Sequence, residues 1–345
     1  MRIAVLNAQV PFIWGGAEEM AHHLTLNLNR MGHEAQLVRI PMSWEPPSRV
    51  IDEALMCQLL NLDHYDVVIG TKFPNYGIKH RNMRIWLVHQ YRQAYDLWDA
   101  GQSNIPDDEK GNHIRSAILA YDREAFKRAQ KITCVAEPIR QRLKHYMGID
   151  APVTLIPVND EELFADKARQ NYIFAGGRVN DAKRQYLLVE ALAKTRSNIR
   201  LVIAGPPDNP SDAIKLEKLV KKHGLKDRVS LDLRFVERER ITDYMNRCLA
   251  TAYLPFQEDS VGYVTAEAFL ANKPVLTTHD SGGVLEIVHD TETGFVVAPD
   301  PSDIAEAIDR LAGSVDDCVR MGTNGHDVWR ARGISWERSI KTLLE

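Results

Sequence analysis

The chain has 345 residues, too many for one ordinary core, so two domains are expected. With 44% hydrophobic and 26% charged residues it reads as globular, which excludes a disordered or fibrous chain. A formal net charge of -4 offers no electrostatic footprint for nucleic acid. No apolar run approaches the ~20 residues that span a bilayer. The stretch before Pro11 is too short for a secretory signal, and the expectation is a cytoplasmic protein. Cys57, Cys134, Cys248 and Cys318 lack CxxC spacing and read as reduced, buried thiols. With no Cys/His cluster, no structural zinc site is expected.

Residues 2–7 form a first buried strand in a βα pattern that recurs along the chain. A loop with Gly15 and Gly16 follows, then an amphipathic helix over residues 18–31 that stops at Gly32. Strands are predicted at residues 34–40, 66–70, 84–88 and 131–135. The pattern restarts after Pro157, with strands at 172–175, 201–204, 249–255 and 274–277 and a helix over 184–195. Continuous apolar strands separated by helices predict parallel sheets covered on both faces. The organisation expected is residues 1–160, residues 161–330, and a C-terminal helix over 331–345 that packs back on the first domain. Residues 93–112 break the rhythm, being long, polar and rich in Asp, Gly and Asn. They are a mobile lid or an insertion.

Four places carry candidate chemistry. Gly15 and Gly16, between the first strand and first helix, make either a tight turn or a close backbone approach to an anion. The loop from Gly176 to Lys183 holds Arg178 and Lys183 five residues apart. These are two solvated cations or two hands on one diphosphate, and their place at a strand's carboxyl end favours the ligand. Asp259 stands in the loop before a helix that Glu267 enters about one turn in. The pair either complements the helix dipole or meets sugar and ribose hydroxyls. The backbone from Val261 through Gly262 and Tyr263 to Val264 is placed to offer N–H groups to phosphate or sugar oxygens. His89 ends a strand, where an open α/β sheet presents its ligand-binding edge.

Together these residues resemble the retaining, twin-Rossmann (GT-B) glycosyltransferases of family 4. The opening matches in Gly15, Gly16, Ala17 and Glu18, followed by Gly32, His33 and Glu34. Gly177 and Arg178 with Lys183 match the diphosphate loop. The signature region matches from Pro255 through Asn272, Lys273, Pro274 and Val275 to Ser281, Gly282, Gly283 and Glu286. Later come Thr293 to Val297, and Ser335, Trp336 and Glu337. The family's two glutamates are separated by seven residues. Glu267 matches the second, and Asp259 stands where the first would be.

The resemblance implies two Rossmann-like domains facing across a cleft and transfer from a UDP- or GDP-sugar with retention. It implies that Glu267 holds the ribose, Asp259 the sugar, and Arg178 and Lys183 the diphosphate. Gly16, with Gly15, would approach the donor from the first domain, and His89 would meet a sugar hydroxyl. It implies no cofactor and no metal, with the nucleotide-sugar as substrate and a glycan, lipid-linked or small-molecule acceptor. A role in cell-envelope polysaccharide or glycoconjugate synthesis goes with this. Basic residues over 78–84 and at Arg140, Arg142 and Lys144 suit either peripheral contact with the inner membrane face or a solvated face. Two other readings compete: a twin-Rossmann sugar-nucleotide epimerase, and a non-catalytic nucleotide-sugar binder.

Overall fold

The computed structural model describes every residue, Met1–Glu345. The chain divides into two compact units, Met1–Pro157 with Ile334–Glu345, and Val158–Gly333.

The first unit is built on β1 (Arg2–Gln9), β2 (Glu34–Pro41), β3 (Val67–Lys72), β4 (Met83–His89) and β5 (Lys131–Cys134). They form a parallel sheet in the order β2-β1-β3-β4-β5. Ile3, Val5 and Leu6 are fully buried, as a strand covered on both faces requires. Helices α1 (Gly16–Arg30), α2 (Val50–Cys57), α3 (Asp96–Asp99), α4 (Glu109–Arg128) and α5 (Glu137–Met147) belong to this unit. The order 2-1-3-4-5 is doubly wound, with the chain switching sides between β1 and β3.

The second unit contains β6 (Tyr172–Gly176), β7 (Arg200–Ala204), β8 (Val229–Asp232), β9 (Ala250–Ala252), β10 (Val275–Thr278) and β11 (Gly294–Val297). Its parallel sheet runs β11-β10-β9-β6-β7-β8. That is the dinucleotide-fold order, and its switch point lies between β6 and β9. Helices α6 (Gln185–Leu192), α7 (Pro210–Lys222), α8 (Arg238–Arg247), α9 (Tyr263–Leu270), α10 (Pro301–Gly313) and α11 (Val315–Ala331) belong to it. Local sequence sets their starts. Asp300 accepts from Ser302 N–H ahead of Pro301, and Ser314 accepts from Asp317 N–H.

Helix α12 (Trp336–Leu344) returns to the first unit. Ile340 and Leu343 enter its core, Trp336 meets Trp86 edge-on at 6.0 Å, and Arg84 donates to the Leu343 carbonyl at 2.7 Å.

Residues 93–112 carry structure of their own: α3, a buried Ile105, and the first turn of α4 capped by Asp108. Ser103 Oγ donates to the Gln93 carbonyl at 2.7 Å, closing the loop on itself. No helix is long and apolar enough to cross a membrane. The basic stretch on α5 is not a free cationic face. Arg142 is buried, while Arg140 and Lys144 both pair with Asp150, at 2.7 and 3.0 Å. In residues 78–84 the two apolar members, Ile78 and Met83, are core residues.

Candidate functional site

In a doubly wound sheet, ligands bind beyond the carboxyl ends of the strands at the switch point. In the second unit this edge is made by the loop after β6 and the long loop from β9 to α9. The first loop turns at Gly177, φ +107°, and lies against Gly205, φ +145°. A Cβ on Gly205 would stand 2.1 Å from the Gly177 carbonyl oxygen, so only glycine lets the ends of β6 and β7 approach this closely. The loop is then clipped to the end of β9 by the Phe256 N–H, which donates to the Ala182 carbonyl at 2.8 Å.

This clip delivers Lys183 to Tyr253. The ammonium donates to the Tyr253 hydroxyl at 2.8 Å and is in contact with the Glu258 carboxylate. Tyr253 in turn donates to Glu258 at 3.0 Å. Burial pulls the Lys183 pKa down, but the Tyr253 oxygen and the Glu258 carboxylate outweigh it and hold the ammonium above its usual range. Burial, and then Glu258, push the Tyr253 phenol up. Lys183 is therefore a fixed cation, and Tyr253 a neutral hydroxyl.

Arg178 is not beside Lys183 on a shared carboxylate. Its guanidinium donates to both oxygens of Asp208, at 3.1 and 3.2 Å, and Asn180 donates to the same acid at 2.8 Å. Each of the two cations is thus matched to its own carboxylate.

Arg184, the neighbour of Lys183, is a staple that sequence reasoning missed. It sits at φ +54° and is buried. It donates to the Leu254 and Pro255 carbonyls at 2.8 and 2.9 Å, to Thr278 Oγ1 at 2.9 Å, and to both oxygens of Asp280 at 2.7 and 2.8 Å. Its hydrogen bonds hold the Asp280 carboxyl below the usual carboxylate range. A left-handed conformation on a non-glycine residue costs on the order of 1 kcal/mol, and five bonds offset it.

The loop carrying Glu258, Asp259 and Val261 is shaped by glycines. A Cβ on Gly282 would meet the Glu258 carbonyl oxygen at 2.3 Å, and the Gly283 N–H donates to that oxygen at 2.8 Å. Gly262, φ +77°, precedes α9, and a Cβ there would stand 2.6 Å from the Tyr253 ring. Tyr263 and Val264 then open the helix, in the first turn, where N–H groups lack intrahelical acceptors.

Glu267 lies in α9, buried. Arg238, at the start of α8, donates to it at 2.6 Å and to the Asn159 carbonyl at 3.0 Å. The guanidinium also sits 5.0 Å from the Phe164 ring centre. The sequence carried no signal for Arg238, because its partner lies in a different βα unit.

Gly15, Gly16 and His89 belong to the first unit. Gly15 caps α1 in an extended conformation, φ -144°, which any residue adopts. The telling residue here is Glu18. One oxygen accepts from Gly15 N–H at 3.0 Å, and the other accepts from Lys72 at 2.6 Å in a buried pair. Lys72 ends β3 and stands in register with His89 at the end of β4. His89 Nδ1 lies 3.1 Å from the Gln90 carbonyl, an acceptor only, so Nδ1 carries the proton and Nε2 is left as an acceptor. Burial, then the charge of Lys72, hold the imidazole pKa at about 3. His89 is neutral at physiological pH and suited to accept from a hydroxyl.

The family described as "Glycosyl transferases group 1" matches residues 159–328. The match takes in nearly all of the second unit, including both loops at its switch point. Among relatives, an uncharacterized glycosyltransferase of Methanocaldococcus jannaschii is 26% identical over 220 residues, 63% of this chain and 58% of that protein. The alpha-1,3/1,6-mannosyltransferase ALG2 of Homo sapiens is 26% identical over 185 residues, 50% of this chain and 44% of that protein. The chain thus spans about half the length of the curated relatives it matches. Sucrose-phosphate synthase from Thermosynechococcus elongatus superposes with a TM-score of 0.77 at 17% identity, covering 99% of this chain and 96% of that one. The fold is the GT-B type, with two parallel-sheet α/β domains, and the group 1 match falls in the second of them.

Proposed function

We propose that the chain is a retaining glycosyltransferase of family 4 that moves a hexose from a UDP- or GDP-sugar to a glycan, lipid-linked or small-molecule acceptor. The observation that carries this is the placement of Lys183 and the start of α9 at the switch point of a group 1 domain. In this reading Arg178 and Lys183 take the diphosphate, and the α9 backbone from Val261 to Val264 assists. Glu267 accepts from the ribose hydroxyls, and Asp259 accepts from the sugar. In this reading His89, Gly15 and Gly16 also contact the donor, and the first domain carries the acceptor.

The acceptor oxygen bonds to the anomeric carbon as the bond from that carbon to the phosphate oxygen breaks. The departing diphosphate keeps the electron pair and takes the acceptor's proton on the same face. Charge builds on the leaving oxygen, so cations and N–H groups fixed beforehand lower the barrier. Lys183 and Arg178 supply that charge without a metal ion or cofactor. Work on cell-envelope or other glycoconjugates, at the cytoplasmic membrane face, completes the proposal.

Thermal unfolding across a panel of nucleoside diphosphates tests it, because a ligand that binds the native state raises the melting temperature. Stabilisation by UDP or GDP but not by the monophosphate supports the reading. No response to any nucleotide contradicts it.

A further inference from the structure

Glu258 has no part in the roles above, yet its carboxylate holds the ammonium group that the donor needs. We propose that Glu258 is a built-in rival of the diphosphate. It occupies Lys183 while the site is empty, yields to the donor, and returns to hasten release of the spent nucleoside diphosphate. The inference rests on the glycosyltransferase reading and deepens it.

Three observations support it. First, the contact is specified by the backbone. Gln257, at φ +44°, turns the chain, and its N–H donates to the Asp280 carbonyl at 2.8 Å. The Glu258 carbonyl is fixed by the Gly283 N–H, with no room under it for a side chain at Gly282. Asp280 is itself held by Arg184, so the frame that aims Glu258 is built from the same residues that brace Lys183.

Second, the pair is within reach of solvent. The side chains of Lys183 and Glu258 are 20% and 22% exposed, whereas the Arg184 side chain is 9% exposed. An anion can arrive at Lys183 without unfolding anything.

Third, Arg178 repeats the arrangement with Asp208. Before any donor arrives, both diphosphate cations are already neutralised. A diphosphate carries more charge and more acceptor oxygens than one carboxylate, so it displaces Glu258, but it binds less tightly than it would to a bare lysine. Tyr253 keeps Lys183 in place during the exchange, since its hydroxyl also accepts from the ammonium.

The test is calorimetry with UDP and GDP on the wild type, Glu258→Gln, Glu258→Ala and Lys183→Ala, each first shown to unfold cooperatively. Both Glu258 variants should bind the preferred nucleoside diphosphate about tenfold more tightly, the scale of one charge-assisted contact. The constant for product inhibition should fall by a similar factor. Unchanged or weaker binding in both variants overturns the inference, because Glu258 would then be holding Lys183 ready for the ligand. If the wild type binds neither nucleotide, the functional reading itself fails. If it binds, and Lys183→Ala does not, while the Glu258 variants show no gain, only the rivalry is wrong.

Discussion

Arg238 donates to Glu267 at 2.6 Å, so the carboxylate expected to grip the ribose already carries a cation at one oxygen. The contact fixes the carboxylate's rotamer, which is what an acceptor for two hydroxyls requires. Glu267→Ala should therefore weaken both the nucleoside diphosphate and the intact donor, because a buried hydroxyl pair loses its acceptor. Asp259→Ala should spare nucleoside diphosphate binding and depress transfer. Calorimetry with nucleotide and donor on both variants checks this. Equal loss of nucleotide binding in the two contradicts the division of labour.

The two cations proposed to take the diphosphate should not be equal. The Lys183 side chain is 20% exposed beside Tyr253 and Glu258, and the Arg178 side chain is 35% exposed beside Asp208. Removing a fixed cation from a developing charge costs about 2–4 kcal/mol, and solvent screening reduces this more at Arg178. Lys183→Ala should thus lower kcat/KM more than Arg178→Ala, with both lowering it. Steady-state kinetics on the two variants decides the order.

On the proposed reading transfer should persist in excess EDTA, since Lys183 and Arg178 are the groups proposed to face the diphosphate. Loss in EDTA that Mn²⁺ or Mg²⁺ restores would place a metal in the mechanism.

Asp122 gives the first unit a distinctive pH response. It is fully buried, and Tyr76 and Tyr95 donate to it at 2.9 and 2.6 Å. Burial outweighs those bonds and raises its pKa to about 7. A folded pKa above the unfolded value means stability is present at low pH and lost as pH rises from about 4 to about 7, at up to ~1.4 kcal/mol per unit. His89, lowered to about 3, has the opposite sign: it costs stability as pH falls from about 6.5. Asp122→Asn removes only the first slope. Its melting temperature should gain on the wild type between pH 5 and pH 8, whereas a constant difference would contradict the assignment.

How much of this was legible in the sequence depends on how far apart the partners stand. The α/β class and two parallel sheets were readable, because each strand announces itself by a local apolar run such as Ile3 to Leu6. Lys183, Asp259 and Glu267 were readable as positions, because strand ends and motif spacing are also local. Their partners were not. Arg184 meets Asp280 across 96 residues, and Arg238 meets Glu267 across 29, connections made only by the fold. At Arg142 on α5 basic character did not mean exposure, for the side chain is drawn inside and faces Asp96 at 3.5 Å. Gly15 and Gly16 drew notice as glycines, while the buried Glu18–Lys72 pair beside them was silent in the sequence.

The proposed function is transfer of sugar from a nucleoside-diphosphate donor held at the switch point of the second unit. Its most direct test is release of nucleoside diphosphate from a panel of UDP- and GDP-sugars, with mixed glycan and lipid acceptors, by the wild type and by Lys183→Ala. The expected result is release from a donor of one base, stimulated by acceptor and largely lost in Lys183→Ala. Release from no donor, or release that Lys183→Ala leaves intact, would contradict it.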